Sequence, residues 1–422
     1  MGLRWLLIVL GVLAAPLSAH DLVGHGGPVS TLAVRDGTAL SGGFDARAIL
    51  WDIESGTAQQ VWRFHAGSVT AVAYLPGTML ATGGQDGRIA LWDGATDTPV
   101  HATAPGHAPV SALSLSPDGT TLAAGFRDGR IMVLSLADLS ERNEQAHQGR
   151  LTGLGHLPGG RLVSLGEDLL LNVHDAALRL VARASLPSLP NALAISQGRV
   201  AVAFADGALR LYAADGTLLP ERFLTDRPLI AVTAAPGIVA ASAIDGTVWV
   251  LENAELAQRF MVASGQGPVW SLALDNTSLL TGGGDGTIRH WSAATGERLG
   301  RTDGPNPDRY DDGSRGAGVW RACAVCHSLE PGDNNRAGPT LHGIFDRRIA
   351  SEPGYAFSPA LRALDIIWTP RTLAELFEHG PEAYTPGSRM PEQRLPDPHD
   401  RAALVDFLNR WAGQGPAPAA PP

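Results

Sequence analysis

The stretch GGFDARAILWD at residues 42–52 returns twice with little change, as GGQDGRIALWD at 83–93 and GGGDGTIRHWS at 282–292. Four looser copies lie between them: GFRDGRIMVLS (125–135), LGEDLLLNVHD (165–175), AFADGALRLYA (203–213) and SAIDGTVWVLE (242–252). Their aspartates stand at 45, 86, 128, 168, 206, 245 and 285, with separations of 41, 42, 40, 38, 39 and 40 residues. One register is therefore held across seven copies. Several are preceded by Gly-His or Ala-His and an alternating run, as in GHGGPVSTLAV, HAGSVTAVAYL and GHAPVSALSLS. Each copy reads as four short strands: alternating residues, a turn, a second strand, an Asp-Gly turn, and a third strand ending near tryptophan. One such sheet cannot cover both of its faces, but neighbours packed radially can.

Residues 20–303 thus resemble the WD-repeat β-propeller family, with seven blades. Trp51, Trp92 and Trp291 fill the family's tryptophan position, while Leu134, His174, Tyr212 and Leu251 replace it elsewhere. Those replacements weaken the Asp-His-Ser/Thr-Trp hydrogen-bond network that the resemblance implies. The last outer strand can come from HDLVG (20–24) or from GERLGR (296–301), and the sequence does not choose. His25 with Asp45 and His65 with Asp86 have the makings of acid–base pairs. Because the pairing recurs with the repeat, it reads as blade architecture. His101, His156 and His290 are isolated and read as ordinary surface or strand histidines.

The chain has 422 residues, 44% of them hydrophobic, with 50 glycines and 30 prolines, which fits many short elements joined by turns. Its formal charge of −10 argues against nucleic acid as a partner. All 32 basic residues are arginine, so phosphate loops and Schiff-base chemistry that need lysine are excluded. The opening MGLRWLLIVLGVLAAPLSA has one arginine, a short apolar run and small residues before His20, the layout of a secretory signal peptide at 1–19. No later stretch is long and apolar enough to span a bilayer, so the mature chain is expected in the periplasm without a transmembrane span.

The repeat stops near 304, and the turn-rich, charged residues 304–314 read as a linker. Beyond it SPALRAL (358–364), TPRTLAELFEHG (369–380) and DPHDRAALVDFLNRWAG (397–413) read as helices, capped by Ser358, Thr369 and Asp397 with proline following each cap. Leu404, Leu408 and Trp411 share one face of the last helix, which is therefore expected to be buried. The Pro/Ala tail at 413–422 lacks core-forming residues and is expected to be disordered.

The chain's two cysteines fall in CAVCH (323–327). A disulfide between them would close a very tight ring, whereas Cys-x-x-Cys-His is the attachment pattern of c-type haem. Residues 315–412 resemble a class I cytochrome c along their whole length. Gly316 and Trp320 match the residues that let the first helix cross the last; GPTLHGIFDR (338–347), PGYAF (353–357), IIW (366–368) and YTPGSRM (384–390) follow in the family's order. The expected fold class is therefore multidomain, an all-β propeller followed by an all-α cytochrome c domain.

The resemblance implies one covalently attached haem c per chain, held through Cys323 and Cys326, with His327 as proximal iron ligand. Met390, the only methionine after the motif, is the expected distal ligand; His342, His379 and His399 are the alternatives. His–Met ligation leaves no open position and suits electron transfer at a raised potential. The resemblance further implies that the Pro339 carbonyl accepts from the His327 ring. Arg347, Tyr355 and Trp368 would approach the haem propionates, and Ser388 stands where the family usually has threonine. Phe357 occupies a place where a second tyrosine is frequent. Leu376 or Phe377 occupies the place of a tyrosine that contacts the methionine sulfur. From 301 onward there are 13 arginines against 16 acids, so docking through a strongly basic ring is not expected.

The expected function is a periplasmic electron carrier without catalytic residues. Redox partners would dock at the haem edge and a further protein on the propeller. One alternative is a haem-dependent oxidoreductase whose propeller holds a second cofactor or substrate. Another is a redox-sensing or assembly factor.

Overall fold

The computed structural model describes residues 20–105, 108–300, 310–324, 327–332, 338–353, 355, 357, 359–386, 388, 390 and 394–413. The expected leader at 1–19, Cys326, the expected cap Ser358, most of the expected linker at 304–314 and all of the expected tail but Gly413 lie outside the described residues.

The seven repeats fold into seven four-stranded antiparallel sheets, arranged as the blades of a propeller. In the first blade the strands are Val29–Arg35, Thr38–Gly43, Ala48–Asp52 and Thr57–Trp62. First strands of successive blades lie beside one another. Second and third strands carry the core: Leu80–Gly84 and Ile89–Trp92 are buried at every position. Fourth strands face water, and Glu141–Gln145 is exposed throughout.

The paired glycines of the repeat have separate reasons. A Cβ on Gly42 would lie 2.6 Å from Val69 of the next blade, and one on Gly83 would lie 2.6 Å from Val110. The glycine that follows makes room for the polar network. A Cβ on Gly43 would fall 2.5 Å from the His25 ring, and one on Gly84 2.3 Å from that of His65. The first glycine lets blades approach and the second lets histidine pass behind the strand.

That network spans four residues in the first two blades. His25 Nδ1 meets Asp45 at 3.1 Å and its Nε2 meets Ser41 at 2.7 Å, while Trp51 donates to Ser41 at 2.8 Å. His65, Asp86, Thr82 and Trp92 repeat the arrangement. Two variants were not visible as such in the repeat. In the fourth blade His147 bonds Asp168 at 3.0 Å and Ser164 at 2.9 Å, with no tryptophan. In the seventh, Gln266 takes the histidine's place, accepting from Thr281 at 2.6 Å and donating to Asp285 at 3.3 Å.

Burial sets the acid response. It pushes His65 and His147 below the ordinary histidine value even though Asp86 and Asp168 oppose the shift. Burial also lowers His174 and His290, and takes His156 down to about 4. The unfolded chain, titrating near ~6.5, therefore binds more protons than the native one below that pH. This stability is fully present above about pH 6.5 and is lost as pH falls toward about 4. The urea midpoint of the full chain should fall steadily between pH 7 and 4.5. A constant midpoint would mean that these rings titrate alike in both states.

The ring is closed by both candidate segments, each over part of one edge. Leu22–Val23 pairs with Thr287 and Ile288 of the last strand. Arg298 bridges Trp291, and the Leu299 and Gly300 amides donate to the His290 carbonyl. Asp21 joins the two, paired with Arg298 and accepting from the His290 amide. The Asp21 side chain is inaccessible to solvent while that of Arg298 is 37% exposed. Asp21→Ala should destabilise the propeller by about 2 kcal/mol, below the ~3–5 typical of breaking a fully buried pair. A chemical-denaturation midpoint unchanged from wild type would contradict that role.

Beyond the propeller, the described residues carry helices α1 (Arg315–Ala324), α2 (Pro359–Arg362), α3 (Pro370–His379), α4 (Pro381–Tyr384) and α5 (Pro398–Trp411). The cap residues Thr369 and Asp397 act as expected, accepting from the amides of Thr372 and His399. The helix expected over 358–364 is a single turn. The buried face of α5 is also corrected: Leu404, Phe407 and Leu408 are buried, but Trp411 is 37% exposed. As the helix's last residue, Trp411 lies beyond the crossing with α1 and packs edgewise on Tyr310. Among the described residues no helix is long and apolar enough to cross a membrane.

Candidate cofactor site

The crossing of α1 and α5 begins the site. Gly316 meets α5 so closely that a Cβ would fall 2.2 Å from the Ala403 carbonyl oxygen, and Trp320 stacks on Phe407 at 5.8 Å. This contact aims the C-terminal end of α1 and buries Cys323. Past α1, the His327 amide donates to the Cys323 carbonyl at 2.9 Å. Cys323 and His327 thereby reach the same cavity.

His327 is held on two sides. Its Nδ1 lies 2.8 Å from the Pro339 carbonyl, which can only accept, so Nδ1 carries the proton and Nε2 keeps a lone pair for a metal. Gly338 sits against the ring; a Cβ there would be 2.2 Å from Cε1. The bond to Pro339 was expected, whereas the requirement at Gly338 becomes visible only with the ring in place.

The cavity is lined largely by apolar side chains, among them Leu373, Leu376, Phe377, Leu404 and Leu408. Cys323, His327, Pro339, Arg347, Tyr355, Trp368, Ser388 and Met390 all border it. Every expected site residue except Cys326, which lies outside the described residues, is thus brought to one place. Paired backbone explains two of them. Asp346 donates to the Trp368 carbonyl at 2.7 Å and Trp368 to the Arg347 carbonyl at 2.9 Å, so Arg347 and Trp368 enter together. Met390 is set by its loop, its amide donating to the Ser388 hydroxyl at 3.1 Å.

Arg347 is more heavily engaged than its sequence position suggests. It donates to the carbonyls of His342 and Thr340 and pairs with Glu352, a residue that sequence reading did not single out. Burial pushes its guanidinium below the ordinary arginine value, and Glu352 counters that. The alternative distal histidines lie elsewhere. His342 packs on Gly413, while His379 and His399 are exposed, and none of the three borders the cavity.

These features suit a flat, apolar, iron-bearing macrocycle: an apolar cavity, an imidazole with a fixed tautomer, and a buried cysteine and a thioether on the cavity wall. Comparison with known proteins agrees. The WD domain, G-beta repeat family matches residues 56–93, 99–134 and 258–292. Each match starts in or near the outer strand of one blade and ends in the third strand of the next. A repeat offset in this way leaves the last blade short of an outer strand, which the N-terminal segment helps to complete. The C-terminal region is 39% identical over 100 residues to a cytochrome c of Cochliobolus lunatus, covering 24% of this chain and 92% of that one. It is 31% identical over 109 residues to a cytochrome c2 of Blastochloris viridis, covering 26% of this chain and 85% of that one. Among solved structures, the computationally designed Ika8 protein aligns with a TM-score of 0.53 at 21% identity, over 65% of this chain and 99% of its own.

Proposed function

The chain belongs to the cytochrome c family through its C-terminal domain, which follows a WD-repeat propeller, and on that premise we propose that it is an exported electron carrier with one covalently bound haem c. The carrying observation is the convergence of Cys323, His327 with its Pro339 partner, and Met390 on one apolar cavity. When bound, the haem supplies reversible one-electron chemistry at its iron.

The chain's residues divide the work. Cys323 and Cys326 would hold the haem covalently, through thioether bonds to its two vinyl groups. His327 and Met390 would ligate the iron, leaving it no position for substrate and supplying a ligand pair that favours the ferrous state. Leu373, Phe377 and Leu404 keep water away, which limits the solvent rearrangement that accompanies electron transfer. Arg347, Tyr355 and Trp368 would approach the haem propionates, and Ser388 would support Met390. The domain, over 315–412, takes the all-α class I form, and the propeller over 20–303 serves as a platform for protein partners. Removal of residues 1–19 on export leaves the chain in the periplasm, where thiol–haem attachment and the partners would be found.

The test is the visible spectrum of the reduced full-length protein with and without carbon monoxide, together with haem stoichiometry after denaturation. One haem that stays with the polypeptide and ignores carbon monoxide is the expected result. Ready carbon monoxide binding would indicate an open iron and an oxidoreductase; haem lost on denaturation would rule out thioether attachment.

A further inference from the structure

The rim of the cavity touches the propeller. Tyr355 borders the cavity with its ring and packs edgewise on Phe357 at 4.8 Å. On the propeller side, the exposed Arg63 places its guanidinium carbon 6.0 Å from the centre of the Tyr355 ring. The Tyr355 hydroxyl is also within hydrogen-bonding reach of Arg47.

Arg47 is itself fixed within the first blade. Only 2% exposed, it donates to the Gly24 carbonyl and lies 3.9 Å from Asp45, the carboxylate of the His25 network. Burial would raise that carboxyl, but His25, Arg47 and the Gly26 amide hold it below its ordinary value, so it stays charged beside the arginine. A continuous set of contacts therefore runs from Trp51 and Ser41 through His25, Asp45 and Arg47 to a residue on the cavity wall. A guanidinium over an aromatic face is attracted by the ring quadrupole, and a tyrosine hydroxyl accepting from a second guanidinium orients the ring further.

We propose that the first blade is the docking surface for the chain's own C-terminal domain, with Arg47 and Arg63 as positioning residues that clasp Tyr355 and bring positive charge to the cavity rim. The electrostatic part rests on the haem reading above; the clasp does not. Positive charge near the iron disfavours the oxidised state, so the propeller raises the reduction potential of the group it holds. One edge of the haem domain is thereby committed to the propeller, and external redox partners must approach from another.

Two measurements on the full-length holoprotein test this. The first is hydrogen exchange of a peptide covering residues 43–48 in Tyr355→Phe, which alters only the C-terminal domain but is read in the propeller. Exchange several-fold faster than wild type is expected. The second is the midpoint potential of Arg63→Gln, expected to fall so that the redox equilibrium shifts about threefold, or about 28 mV at about 59 mV per tenfold. Wild-type exchange at 43–48 would overturn the clasp, whatever the potential does. Faster exchange with an unchanged potential would keep the clasp and overturn the electrostatic role. A preparation without haem absorbance would refute the functional reading instead, and the exchange measurement would still decide the clasp.

Discussion

Met390→Ala is expected to convert a closed iron into one that binds carbon monoxide in the reduced state, and to lower the midpoint potential on the order of 0.1–0.2 V. That is a moderate part of the ~0.8 V over which axial ligands tune haem proteins. The reasoning is local. A thioether favours ferrous iron, and alanine offers nothing in its place. None of His342, His379 and His399 borders the cavity, so none can substitute without the surrounding segment moving. Water is the replacement available at the vacated position, and it exchanges for carbon monoxide.

The same substitution should leave the His327 side untouched, because that imidazole is fixed by Pro339 and Gly338. Haem stoichiometry should therefore stay at wild type while the spectrum and potential change. A variant that still ignores carbon monoxide and keeps its potential would show that Met390 is not a ligand. The wall residue would then be only packing, and the distal ligand would have to be sought among groups outside the described residues.

How much of this was legible in the sequence follows from which residues have only one physical solution. The blades were readable because in the first two copies the paired glycines and the aspartate answer fixed demands: room for the next blade, room for a histidine, and an acceptor for its ring. Where a different residue met the same demand, the reading thinned. Gln266 supplies an amide where an imidazole was sought, and His147 was masked by the loss of tryptophan from its blade. Closure was undecidable because two short segments share one edge, and neither pattern is long enough to exclude the other. In the cofactor site, Cys323, His327 and Met390, which the structure brings to one cavity, stood out through an unusual spacing and a lone methionine. The rim was less so, since Arg347 depends on Glu352 and on backbone pairing with 366–368, which is a tertiary fact. The link from Tyr355 to the first blade joins residues about three hundred positions apart, and no local pattern reports it.

The second large effect is expected at Gly316. Gly316→Val should unfold the C-terminal domain or leave it unable to retain haem, with a loss of at least about 3 kcal/mol, the upper end of ordinary overpacking. A Cβ there would lie 2.2 Å from the Ala403 carbonyl oxygen and 2.7 Å from the Phe407 Cβ. The first neighbour is helix backbone, which cannot turn aside as a side chain can. Relief would require α1 and α5 to separate, opening the Trp320–Phe407 stack and moving Cys323 away from the cavity. Two residues on, Gly318 has nothing within 4 Å of the same added atom. Gly318→Ala should instead stabilise α1 by up to about 1 kcal/mol, the difference in helix preference between glycine and alanine. The pair separates packing from propensity within one turn of one helix. Thermal unfolding followed by haem absorbance should place the two variants on opposite sides of wild type. If both are stabilised, the helices do not cross at Gly316, and the scaffold that delivers Cys323 and His327 is wrong.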